Sequence, residues 1–144
     1  MRIVLDTNVL VSGLISAAGP PGRIVDLLRA GAVQTVVDDR ILAEYRDVLS
    51  RQELRRWISV ASAEVTIDFL VHASYRVDCS AVVVGLPDPG DTPFLEAALT
   101  AGVPLVTGNA RHFPLPRRGG AEVLSPRDFV ARVADSAGNR RPDS

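Results

Sequence analysis

The sequence predicts an α/β fold, a three-layer α/β/α sandwich with a mostly parallel central sheet. Three observations lead there. Short runs of branched apolar residues, such as "RIVL" (2–5) and "VQTVV" (33–37), read as strands buried on both faces. Segments with apolar residues at helical spacing alternate with these runs along the chain. The 144 residues are 47% apolar and 23% charged, the composition of one globular domain with a real core. We place that domain at residues 1–134. Residues 135–144, "DSAGNRRPDS", lack apolar anchors and read as a flexible C-terminal tail.

The elements follow in order. After "RIVL", the stretch "TNVLVSGLIS" opens a short helix, and "AAGPPG" is a loop. "GRIVDLLRAG" carries Ile24, Val25, Leu27 and Leu28 at helical spacing and stops at Gly31. The strand 33–37 leads into "DDRILAEYRDVLSR", a helix that Asp38 or Asp39 can cap. "SAEVTIDFLVHASYRV" is read as a further helix and "CSAVVVG" (79–85) as the third strand. "GLPDPGDTP" is a tight acidic loop, and "TPFLEAALTAG" is a helix ended by Gly102. "VPLVTG" is a strand, "NARHFPLPRRGG" is irregular and "AEVLS" is a last short strand. In "SPRDFVARVA", Ser125 caps, Pro126 takes the first helical position and Asp128 completes a capping pattern.

Composition narrows the function. No apolar run approaches the roughly 20 residues that span a bilayer, and "MRIVLDTN" puts an acid where a signal peptide needs its apolar stretch. The lone Cys79 leaves no internal disulfide, fits a cytoplasmic location and reads as a small hydrophobe. A net charge of −1 is not the basic footprint of a typical nucleic-acid binder. All 16 basic residues are arginine, the side chain that forks best onto phosphate and carboxylate.

In open parallel sheets, sites form beyond the carboxyl ends of the strands, and several acids fall there. Asp6 directly follows "RIVL", where a buried charge is costly unless paired or bound to a cation; it also suits a helix cap. Glu44 lies about 40° beyond Val48, at the edge of its helix's apolar sector, whereas Asp47 turns to water. Asp91 suits the cap of the helix beginning near Thr92, and Asp88 sits in the turn made by Pro87, Pro89 and Gly90. Glu96 falls opposite Phe94 and Ala98 and reads as solvated. Thr107, Asn109 and His112 close another strand; His72 and His112 also read as surface residues. Carboxylates crowded together raise one another's pKa values or demand a cation. Oxygen donors without a Cys/His cluster point to Mg²⁺ or Mn²⁺ rather than zinc, and an acid-held Mg²⁺ suits phosphoryl chemistry.

"IVLDTNVLVSG", "ILAEYRDVL", "DPGDTPFLEAAL" and "LVTGNARHF", in this order, resemble the PIN-domain ribonucleases. The chain looks most like the VapC-type toxin components of toxin–antitoxin pairs, over roughly residues 1–133. The resemblance implies a PIN-like fold and a Mg²⁺- or Mn²⁺-dependent endoribonuclease. It implies Asp6, Glu44 and Asp91 as catalytic and metal-binding acids, with Asp88 as an extra acid of the "DPxD" loop. Thr7, Asn8, Ser12, Thr107 and Asn109 take supporting places. Arg111, Arg117 and Arg118 flank the last motif as candidates for RNA phosphates, and equally read as solvated loop charges. A cognate antitoxin and a homodimer are the implied partners. One departure stands out: many relatives carry a fourth Asp where this chain has His112. That departure keeps open an alternative, a catalytically degenerate PIN domain that binds RNA or protein. A haloacid-dehalogenase-like phosphatase also begins with a strand-end Asp, but Asn8 replaces its second acid and the chain has no lysine.

Overall fold

The structure, a computed structural model, describes residues 1–139. Its sheet has five strands: β1 (Arg2–Leu5), β2 (Gln34–Val37), β3 (Tyr75–Arg76), β4 (Leu105–Val106) and β5 (Val123–Leu124). Their order is β3-β2-β1-β4-β5, and every neighbouring pair is parallel. Ile3 stands opposite Thr35, and Leu5 opposite Val106. Ile3, Val4 and Leu5 are all completely buried, and Thr35, Val36 and Val37 are buried beside them. Consecutive strand residues point to opposite faces, so both faces of the sheet are covered, as a three-layer sandwich requires.

The layers come from α1 (Thr7–Ile15), α2 (Pro20–Arg29), α3 (Asp39–Leu49), α4 (Val60–Ala73), α5 (Thr92–Ala101) and α6 (Pro126–Asn139). α5 packs on β1, β2 and β4; α4 packs on β2; α2 touches both α1 and α6. Where α1 meets α2 the backbones approach so closely that a Cβ on Gly13 would lie 2.5 Å from the Pro21 carbonyl oxygen. Asp38 caps α3 by accepting from the Ile41 N–H at 3.0 Å, and Ser125 caps α6 by accepting from the Asp128 N–H at 3.1 Å. Gly102 ends α5 at φ 66°, the left-handed conformation that glycine takes without strain. No helix among the described residues is long and apolar enough to cross a membrane.

Four expectations need correction. α2 starts at Pro20 rather than Gly22, because a proline's fixed φ suits the first helical position. The helix expected over residues 62–77 ends at Ala73, and Tyr75–Arg76 become β3. There the free edge of β2 recruits the chain: the Val77 N–H donates to the Val37 carbonyl at 3.0 Å. The valine-rich stretch 79–85 is not a strand. Side chains of α5 hold it instead, Thr100 Oγ1 accepting from the Ser80 and Ala81 N–H groups and Glu96 Oε2 from that of Val83. Finally, α6 continues to Asn139, past the last apolar anchor, Val133, because each added turn closes backbone hydrogen bonds on an existing helix. Residues 140–144 of the expected tail lie outside the described residues.

The topology fixes where a site can form. From β1 the chain crosses to β2 and onward to β3, then returns to add β4 and β5 on the other side of β1. Connections therefore leave the carboxyl ends of β1 and β4 in opposite directions, opening a crevice between them.

Candidate active site

Asp6 and Thr107 are the first residues beyond β1 and β4, on the two sides of this crevice. Both are buried, and the Thr107 hydroxyl donates to Asp6 Oδ2 at 2.7 Å. Asp6 is the N-cap residue of α1 by position, yet its carboxylate makes no capping bond. Burial pushes its pKa up, and the bonds from Thr107 and the Thr7 N–H only partly offset that. Behind it, Tyr45 of α3 donates its hydroxyl to the Leu5 carbonyl at 2.5 Å and so holds the end of β1 in place. Tyr45 falls in the apolar sector of α3, and a buried phenol needs a partner, which is the signal the sequence carries for this role.

Glu44, one residue before Tyr45, is half-buried and accepts from the Thr7 hydroxyl at 2.5 Å. Asp47 is exposed, as its helical position implies. Asp91 ends the short turn Pro89–Asp91 and precedes α5. It too is placed as an N-cap without a side-chain capping bond. Its Oδ2 is shut off from solvent and has no hydrogen bond. Burial raises the Asp91 pKa to about 6, with further upward pushes from Asp6, Asp88 and Glu44 and a downward pull from His112. Asp88 is exposed and spends one oxygen on the Gly90 N–H at 2.8 Å, so it shapes the turn while adding charge nearby.

His112 is not simply a surface residue. Its Nδ1 lies 3.1 Å from Asp91 Oδ2, and its Nε2 lies 3.0 Å from the Asn109 amide nitrogen. The Asn109 N–H in turn donates to Thr107 Oγ1 at 3.0 Å, which ties the turn back to Asp6. Asn8 is exposed beside Gly108, and Ser12 is exposed one turn further along the same face of α1. Of the flanking arginines, Arg118 donates to the Phe113 carbonyl at 2.6 Å and is committed to the loop. Arg111 and Arg117 are exposed, the latter lying against Gly85. His72 is exposed and pairs with Asp68 on its own helix.

Glu96 is the clear misreading. It is buried, not solvated, and accepts from Arg40 at 2.7 Å and from the Val83 N–H at 2.9 Å. A helical projection of α5 alone could not show that the 79–85 stretch covers that face.

Among the described residues, no three His, Cys, Asp or Glu side chains stand close enough to grip one ion directly. The acids form an open bowl, not a closed cage. The orphaned Asp91 oxygen and the raised pKa values of Asp6 and Asp91 nevertheless fit a divalent cation. Mg²⁺-type ions keep several waters and need only one or two carboxylates.

The fold is similar to that in the crystal structure of VapBC2 from Rickettsia felis bound to a DNA fragment from their promoter. That match has a TM-score of 0.57 and 17% identity, over 87% of this chain and 98% of that one. It is similar also to that of FitAcB from Neisseria gonorrhoeae, with a TM-score of 0.57 and 13% identity over 88% and 99% of the two chains. At such identities the likeness is one of fold. No curated protein matches the chain. The sequence profile of the PIN domain does match, over residues 2–111. That span runs from the first strand through the turn beyond β4 that carries Asn109, and it makes this chain a member of the PIN-domain family.

Proposed function

We propose that this chain is a divalent-ion-dependent endoribonuclease that hydrolyses RNA phosphodiesters, and that it is a toxin restrained by a cognate antitoxin. The observation that carries the reading is the Asp6–Asp91 pair: two carboxylates from distant parts of the chain, where the charge of Asp6 adds to the burial that opposes the ionisation of Asp91. Asp6 and Asp91 would hold the ion, with Glu44 and Asp88 deepening the negative potential around it. A bound Mg²⁺ or Mn²⁺ would neutralise the acids, polarise a phosphodiester and favour ionisation of water. The chain's own residues supply order. Thr107 fixes Asp6, Thr7 fixes Glu44, and the exposed Arg111 and Arg117 would meet backbone phosphates. The toxin assignment draws support from the motifs' resemblance to VapC-type chains and from the likeness to VapBC2; a homodimer acting in the cytoplasm belongs to the same reading.

A labelled RNA panel tests it. Cleavage is expected with Mg²⁺ or Mn²⁺, and its loss with EDTA and in Asp6→Asn. Cleavage that survives both would end the proposal. RNA binding without cleavage, across titrations of both ions, would instead favour the degenerate binding module that the imidazole against Asp91 makes reasonable.

A further inference from the structure

We infer that Trp57 and Arg56 form a stacking platform for an unpaired nucleotide of single-stranded RNA, outside the acidic crevice. The inference rests on the RNA reading above and adds to it where the strand is gripped beyond the acids. Residues 46–57 hold four arginines, Arg46, Arg51, Arg55 and Arg56, against two acids, Asp47 and Glu53, in a chain whose net charge is −1. The segment ends on the only tryptophan of the chain. The core takes its aromatic bulk from Tyr45, Phe94, Phe113 and Phe129, all buried, whereas Trp57 is 53% exposed. A ring of that size left in water forgoes the burial that makes it valuable to a core.

Trp57 is held out, not loose. The turn Gln52–Leu54 follows α3, and the Leu54 carbonyl accepts from the N–H groups of Trp57 at 3.0 Å and Ile58 at 2.8 Å. Ile58 is buried and anchors the next position. Arg55 clamps the segment by donating to the Leu49 and Ile58 carbonyls, at 2.6 and 3.1 Å. Arg51 pairs with Asp47. Arg56 enters no ion pair among the described residues, and its guanidinium carbon lies over the Trp57 ring, 5.1 Å from the centroid. A guanidinium stacked on one face of an indole keeps N–H groups at its edge for a phosphate and leaves the other face of the indole for a base. A nucleotide joins an anion to a flat ring; this pair joins a cation to a flat ring. Such stacking accepts any base, because every base has a π-face. An exposed Trp–Arg pair also suits a protein interface, but the local surplus of positive charge favours a polyanion. Glu44 sits in α3, and the helix from Glu44 to its end at Leu49 is about 8 Å long. The platform therefore grips nucleotides that flank the cleaved bond, not the scissile phosphate.

The test uses the full chain in EDTA at low salt with a labelled single-stranded RNA of about 12 nucleotides. The chain has one tryptophan, so its emission reports on Trp57 directly and should be quenched as RNA binds. By fluorescence anisotropy of the RNA, Trp57→Ala should bind about tenfold more weakly and Trp57→Phe nearly as wild type does, each folded by circular dichroism. Arg56→Gln should weaken binding and lower the slope of log affinity against log salt by roughly 0.7. Arg29→Gln, which removes an exposed charge beside Met1 at the amino end of β1, should bind as wild type does. With Mg²⁺, the defect of Trp57→Ala should appear as a raised KM. If wild type cleaves RNA but its emission does not respond and Trp57→Ala binds as tightly, this inference fails and the nuclease reading stands. It fails equally if Trp57→Ala changes the oligomeric state while RNA affinity holds, since the ring then belongs to a protein interface. Quenching by RNA that is never cleaved, with the affinity lost in Trp57→Ala, keeps the platform and sinks the nuclease. If wild type neither binds RNA in EDTA nor cleaves it with Mg²⁺ or Mn²⁺, both fall.

Discussion

Asp91 holds a proton more tightly than an ordinary aspartate because burial and the charges of Asp6, Asp88 and Glu44 all oppose its ionisation. An unfolded chain would release that proton near 3.8, the folded one near 6. Between those values the ion-free native state binds more protons than the unfolded state, so acid favours folding. The contribution is full below about 3.8 and is lost as pH rises through about 6; Asp6 is shifted in the same direction. Melting curves in EDTA should therefore show wild type losing stability relative to Asp91→Asn as pH climbs from about 4 to about 6.5. A constant difference would show that Asp91 titrates normally. Asp6→Asn keeps an acceptor for Thr107 but removes a repelling charge. At pH 7 without divalent ions it should melt higher than wild type, whereas in Mg²⁺ its RNA cleavage should fall by about 10²-fold or more. Equal melting temperatures would argue against the crowding of charge.

Helix α5 is enclosed by the sheet on one side and by the 79–85 stretch on the other, which is why it buries Glu96 along with Phe94, Leu95, Ala97 and Ala98. Glu96→Ala strands the Val83 N–H and leaves Arg40 paired with Asp38 alone, and should cost about 1–3 kcal/mol in urea unfolding. Glu96→Gln, which still accepts from Val83, should cost less. At the α1–α2 crossing, Gly13→Ala forces a methyl into the Pro21 carbonyl and should cost about 1–3 kcal/mol in the same assay. The sequence showed β1, α1, α3, α5 and the caps at Asp38 and Ser125 because each is written locally, in spacing or in a cap. It hid β3, whose two exposed residues Tyr75 and Arg76 have no pattern of their own and become a strand only beside β2. It suggested a strand at 79–85 because valine favours extended chain, but that stretch finds its partners on a helix. Asp6 was legible as a strand-end acid. The place of His112 was not, since its neighbour Asp91 lies in another element.

For the molecule as a whole, the proposed function implies that the native state would bind divalent ions and the unfolded chain, whose acids are scattered, would not. Mn²⁺ at 100 times its dissociation constant should raise stability by about 2.7 kcal/mol, seen as an upward shift in melting temperature. Asp6→Asn should show little of that shift; an equal shift would place the ion elsewhere. The position of β1 between β2 and β4 has another consequence. Asp6 and Thr107 are 101 residues apart in the chain, so as the nascent polypeptide leaves the ribosome, its earliest acid is exposed long before its partner is translated. Until residues 105–106 emerge to flank β1, there is no crevice and Asp6 has no Thr107 beside it. Under the proposed function, a half-made copy would be harmless to the messenger that encodes it, and activity would arrive only late in synthesis.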